Sequence, residues 1–108
     1  MQSKDTFIWI QSSIDTIENA EKIAQYLTEK KIAFCVQISS AVLSVYQWKN
    51  SLQKDNEYLL NIKTSVFHSD ECCRIIQKLH PYETPEIIST AIKLLNPAYT
   101  DWANAQLT

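Results

Sequence analysis

The chain carries no glycine in its 108 residues, where ordinary usage near ~7% would place about seven or eight. Glycine supplies positive backbone φ and close backbone approach at no steric cost. A P-loop, a dinucleotide-binding glycine fingerprint and a glycine-bounded nucleophile elbow all need it, so these classes are excluded. Reversals must be made by Asn, Asp, Ser and Pro. Lys49-Asn50 is the first candidate for a tight turn, since Asn tolerates the left-handed region. Lys54-Asp55-Asn56 is the second.

Between such breaks the pattern resolves into short elements. Thr6 to Gln11 is β-branched and aromatic and reads as a buried strand. Ser12, Ser13 and Asp15 offer helix caps. From Asp15 to Lys30, Ile17, Ala20, Ala24 and Leu27 fall on one helical face. Ile32 to Trp48 is strand-like, with Ser39-Ser40 interrupting the alternation as a bulge or bend. Glu57 to Phe67 alternates. Tyr58, Leu60, Ile62, Thr64 and Val66 face the core, and Glu57, Leu59, Asn61, Lys63 and Ser65 face a wetter side. Ser69 to Leu79 reads as a second helix, with Cys72, Ile75, Ile76 and Leu79 inward. Pro81 and Pro85 forbid helix between them. Glu86 to Lys93 is a fourth strand. Asn96-Pro97 opens a final helix anchored by Tyr99, Trp102 and Leu107.

The order β-α-β-β-α-β plus a C-terminal helix predicts an α+β, ferredoxin-like fold over residues 1–108 as one domain. An antiparallel sheet carries two helices on one face. The hairpin of the second and third strands is too long for that sheet. A strand of ~14 residues reaches ~45 Å, whereas helices of ~11 to 16 residues span ~16 to 24 Å. The excess near Tyr46, Trp48 and Leu52 calls for another subunit.

Composition narrows the function. Hydrophobic residues are 45%, charged residues 20% and the formal charge is -2. No basic stripe supports nucleic-acid binding. No stretch approaches the ~20 apolar residues of a membrane span. The run Phe7 to Ile10 is too short for a signal-peptide core. Three cysteines, Cys35, Cys72 and Cys73, are a poor disulfide framework, and a cytoplasmic location is the expectation. Arg74 is the single arginine and falls mid-helix, so no phosphate-cradling loop uses it. Nothing in the sequence activates a nucleophile, and an enzyme is not expected.

His80, Glu83 and Glu86 form a candidate metal group of nitrogen and oxygen ligands, to which Tyr82 could add an oxygen. The competing reading has His80 capping a helix or hydrogen-bonding locally. Cys72 and Cys73 are adjacent on a helix and point about 100° apart, which suits packing rather than one ion.

Taken together, Cys35-Val36-Gln37-Ile38, Ser44-Val45-Tyr46-Gln47-Trp48, Glu57, Lys63-Thr64, His80-Pro81-Tyr82-Glu83-Thr84-Pro85-Glu86-Ile87, Tyr99 and Trp102 resemble the CutA divalent-cation tolerance family, from about Phe7 to Leu107. The resemblance implies a ferredoxin-like fold and a homotrimer in which neighbouring hairpins extend one another's sheets. It also implies a non-enzymatic role in tolerance of copper and other divalent metals, or in the response to metal ion. In trimer architecture the family is similar to the PII signalling proteins. A PII-like sensor of a small molecule or anion at the subunit cleft is therefore the alternative. Of the proposed ligands, His80 and Glu83 carry across. Gln11 stands where some bacterial members have a cysteine, so thiolate copper chemistry is missing there. Ser40-Ala41 and Asn50 stand where the family usually has Pro-Gly and Gly. Lys63, Glu57, Tyr82, Glu86, Tyr46, Trp48 and Trp102 are the expected cleft and interface residues. No cofactor is obligatory, and a weakly bound copper or zinc ion is the one candidate. The expected partner is the chain itself, with neither nucleic acid nor membrane.

Overall fold

The computed structural model describes residues 6–108. The first five residues of the expected domain lie outside them. Five strands and three α-helices follow in the order β1 (Phe7–Ile14), α1 (Ile17–Glu29), β2 (Cys35–Ile38), β3 (Val42–Trp48), β4 (Ser51–Ser65), α2 (Ser69–Leu79), β5 (Ile88–Ile92) and α3 (Pro97–Gln106). The sheet is antiparallel in the order β2-β4-β1-β5, and β3 pairs with the far half of β4. This is the expected α+β, ferredoxin-like arrangement.

The two principal helices cover one sheet face. Ile10 and Ile14 of β1, Leu60 and Ile62 of β4, Ala20, Ile23 and Leu27 of α1, and Cys72, Ile75 and Ile76 of α2 form the core. Each large aliphatic side chain removed from water there contributes about 1.5–3 kcal/mol. On α1 the buried positions are Ala20, Ile23 and Leu27 rather than the expected Ile17 and Ala24. Thr16, not Ser12, Ser13 or Asp15, caps α1: its Oγ1 accepts from the Asn19 amide at 3.1 Å. The three earlier residues are absorbed by β1 or precede the cap.

The end of α1 shows how the chain manages without glycine. Lys31 adopts φ 60° just past the helix. Its amide donates to Thr28 O at 3.1 Å, and the Ile32 amide donates to Leu27 O at 2.9 Å. That pair of bonds is a Schellman ending, in which glycine normally takes the left-handed position. Lys49 and Asn50, at φ 51° and 64°, make the two-residue turn joining Trp48 to its partner Ser51. Both signs match a type I′ hairpin turn.

The expected strand across Ile32 to Trp48 is two strands on one partner. Ile38 opposes Leu60 and Val42 opposes Glu57. Four steps on one side therefore face three on the other, which is a β-bulge at the place Ser39-Ser40 predicted. Ser39 secures it: its Oγ accepts the Leu59 amide at 2.8 Å, and its own amide donates to Leu59 O at 3.0 Å. Lys54-Asp55-Asn56 is not a turn. It lies inside the 15-residue β4, whose register the Lys49-Asn50 turn sets. The hairpin projects from the body and gives the molecule its 46 Å long axis against 24 and 23 Å. Leu43, Val45 and Leu52 are more than half exposed on it.

The second sheet face is covered only at one end. There α3 packs Ala103 against Phe7 and Phe34, and Asn96 caps it by accepting from the Ala98 amide at 3.1 Å. Tyr99 and Trp102 are not buried anchors. They pack edge-on against Phe34 with ring centroids 6.0 and 6.2 Å away, and stay partly exposed.

Candidate functional site

The uncovered part of that face runs from Gln11 and Ser13 of β1, past Leu59 and Glu57 of β4, onto the hairpin. Antiparallel partners put their side chains on the same side. Val42 opposes Glu57, Ser44 opposes Asp55 and Tyr46 opposes Gln53. Ser44, Tyr46 and Trp48 therefore share this face with Asp55 and Glu57. The loop after α2 closes the remaining side with Tyr82, Glu83, Thr84 and Glu86. The result is a cleft of about 750 Å³.

The loop is held by His80. Pro81 forces the residue before it out of the helical region, and His80 ends α2 at φ -73°, ψ 136°. The residue is 7% exposed. Nδ1 accepts from the Tyr82 amide at 3.1 Å, so the proton is on Nε2, which donates to Ser13 O at 2.8 Å. The ring also packs on Tyr82, with centroids 4.7 Å apart. Tyr82 then reaches across to β4, where its hydroxyl donates to Glu57 Oε2 at 2.7 Å. Burial, followed by the bond to Glu57, raises the Tyr82 pKa above its usual 10. At the far end Tyr46 donates to Asp55 Oδ2 at 2.5 Å, which with partial desolvation raises its pKa as well. Gln11 Nε2 reaches Glu86 Oε2 at 3.5 Å.

Of the residues singled out in the sequence, Tyr46, Trp48, Glu57, Tyr82, Glu83 and Glu86 meet around one cleft. The two residues of the expected metal pair, His80 and Glu83, are placed differently. Both His80 nitrogens are spent on the backbone, which is the local hydrogen-bonding role weighed against it, while Glu83 faces the cleft. Among the described residues no group of three His, Cys, Asp or Glu side chains converges to hold an ion. Lys63 stands apart on the same face, paired with Trp9 and Cys35. Trp102 belongs to α3. Asp55, among turn-forming residues in the sequence, stands in β4 and lines the cleft; its spacing of two from Glu57 is the sequence signal for it.

The cleft has four carboxylates, Asp55, Glu57, Glu83 and Glu86, and three aromatic rings. No lysine, arginine or histidine lines it among the described residues. Glu57 is 5% exposed although expected on the wetter side, because the Tyr82 loop folds over it. Among the described residues no cationic nitrogen lies within 4 Å of it. The cysteines are free thiols; burial pushes Cys72 up to about 12. No helix among the described residues is long and apolar enough to cross a membrane.

Comparison with known proteins gives one consistent result. Over 88 residues, 82% of this chain, it is 40% identical to the Protein CutA homolog of Xenopus laevis. It is 34% identical over 90 residues to the Divalent-cation tolerance protein CutA of Thermus thermophilus, covering 83% of this chain and 87% of that protein. The chain spans about half the length of the animal relatives it matches, 57% of the Xenopus protein and 48% of mouse CutA. The crystal structure of CutA1 from Oryza sativa superposes with a TM-score of 0.92 at 29% identity, over 99% of this chain and 98% of that one. The family described as CutA1 divalent ion tolerance protein matches residues 8–106. With its sheet order, bulged hairpin and His80–Glu86 loop, the chain belongs to the CutA1 divalent ion tolerance protein family.

Proposed function

We propose that this is a trimeric, non-enzymatic binding and regulatory protein acting in divalent-cation tolerance or in the response to metal ions, with the cleft as its ligand site. The observation carrying this reading is the lining: four carboxylates around one cleft and, among the described residues, no basic side chain lining it. Such a field concentrates cations and repels anions. That favours a cation over the small anion of a PII-like sensor. Oxygen donors suit hard ions better than copper, and zinc or copper would bind weakly. Since no three ligands converge among the described residues, an ion would be held through water or shared between subunits. The exposed aliphatic side chains of the hairpin support the trimer, because a two-stranded ribbon is marginal alone. Three free thiols suit a reducing compartment such as the cytoplasm.

The test is calorimetry with Zn(II), Cu(II) and Mg(II) on the wild type and on Glu57→Gln, with sedimentation to measure mass. Saturable binding that Glu57→Gln weakens, by a particle of three 12.5 kDa chains, is expected. Identical binding in the variant would remove the cleft as the site.

A further inference from the structure

We propose that the cleft takes a linear organic cation carrying more than one amino group, held with its ammonium groups against Asp55 and Glu57 and its alkyl body across Tyr46 and Trp48. This rests on the reading that the cleft is the ligand site and specifies the ligand's chemistry. Four observations select an alkylammonium over a bare metal ion.

The first is size. A cleft of about 750 Å³ falls in the ~300–1,000 Å³ range of small-molecule sites. The second is ligand geometry. Carboxylates surround the space, yet among the described residues no three converge on a point. Spaced carboxylates fit a molecule whose positive charges are themselves spaced.

The third is Glu57. It is 5% exposed, it lines the cleft, and among the described residues its carboxylate takes one hydrogen bond, from the neutral Tyr82 hydroxyl. Among the described residues no cation reaches it. A carboxylate withdrawn from water without a counter-charge is costly. An ammonium entering the cleft supplies both charge and hydrogen-bond donors.

The fourth is the aromatic surface. Tyr46 and Trp48 are 40% and 47% exposed on the hairpin. Indole and phenol faces attract cations within about 6 Å of the ring centre. The chain already makes such a contact there: Lys49 Nζ lies 6.0 Å from the Trp48 ring centre. An alkylammonium of the protein's own stands beside the cleft on the ring we assign to the ligand.

The experiment titrates the intact protein with spermidine by calorimetry at 0.15 M salt. An uncharged diol of similar length is the control, and Mg(II) and Zn(II) are separate arms. Spermidine is expected to bind saturably and the diol not at all. Glu57→Gln should weaken spermidine at least tenfold. Trp48→Leu should weaken it about threefold or more, the loss of one partly exposed cation–π contact. If Glu57→Gln fails to fold, Asp55→Asn is read in its place, and circular dichroism and sedimentation confirm each variant's integrity. No saturable spermidine binding, or equal binding in the folded variants, overturns the inference. If spermidine fails while a metal binds and Glu57→Gln removes it, the cleft stands as a metal site and only the amine is refuted. If neither cation binds, both readings fall.

Discussion

The Tyr82 hydroxyl donates to Glu57 Oε2 at 2.7 Å, joining the loop after α2 to the middle of β4 across 25 residues of sequence. A hydrogen bond to a charged group contributes about 1.5–3 kcal/mol. Tyr82→Phe should lower stability by about that amount, read as a shift in the urea midpoint at pH 7.

The same bond makes a pH prediction. Tyr82's folded pKa is raised above the unfolded value of 10.0, first by burial and then by Glu57. The folded state therefore holds this proton more tightly than the unfolded chain. Its contribution is complete below pH 10 and is lost as pH rises through the folded pKa. Wild-type stability should fall above pH 10, and the fall should be shallower in Tyr82→Phe. Equal slopes in urea titrations between pH 9 and 11 would contradict this.

His80 bonds Ser13 O through Nε2 and the Tyr82 amide through Nδ1. His80→Ala leaves both partners without it and should cost about 1–3 kcal/mol. As a structural group it should change metal affinity little. Calorimetry with Cu(II) on the folded variant should agree with wild type within about twofold, and a loss beyond tenfold would restore it as a ligand.

Three residues, Lys31, Lys49 and Asn50, take positive φ where glycine is missing. Lys31 at φ 60° and Asn50 at φ 64° hold left-handed backbone. Lys31→Gly and Asn50→Gly should each stabilise by up to about 1 kcal/mol, net of the entropy glycine adds to the unfolded chain. Differential scanning calorimetry should place both midpoints above wild type.

Leu43 and Leu52 are 63% and 57% exposed on the hairpin. In the proposed trimer a neighbouring subunit covers them, so Leu43→Asp with Leu52→Asp should give a monomer at micromolar concentration in sedimentation velocity. An unchanged mass would show that the hairpin's aliphatic side chains are not the contact.

Much of this fold was legible locally. Ser69-Asp70-Glu71 and Pro81 bracket α2, and its observed span is Ser69–Leu79. Asn96-Pro97 opens α3, and Lys49-Asn50 makes the hairpin turn. What failed was set from a distance. Asp55 is a turn former by composition, but the register imposed at Lys49-Asn50 holds it in β4, where Tyr46 bonds it. Glu57 alternates as a wet-face residue and is buried by a loop 25 residues later. The cleft residues could be named because the motif around His80 is distinctive. That His80 would turn its nitrogens to the backbone depended on where β1 runs, which no local pattern carries.

The bulge at Ser39 divides β4 into two regimes. From Tyr58 to Ser65 the strand has β1 on one edge and, along Lys63 to Leu60, β2 on the other. From Ser51 to Glu57 it has, among the described residues, β3 alone. Amides in the first stretch exchange with solvent only when the sheet itself opens, whereas the outward amides of the second have no strand among the described residues to hold them. Opening that starts at the Lys49-Asn50 tip should run back along the ribbon and stop at the bulge. Ser39 thus marks the boundary between the stretch of β4 that the body of the sheet holds and the stretch that only the hairpin holds.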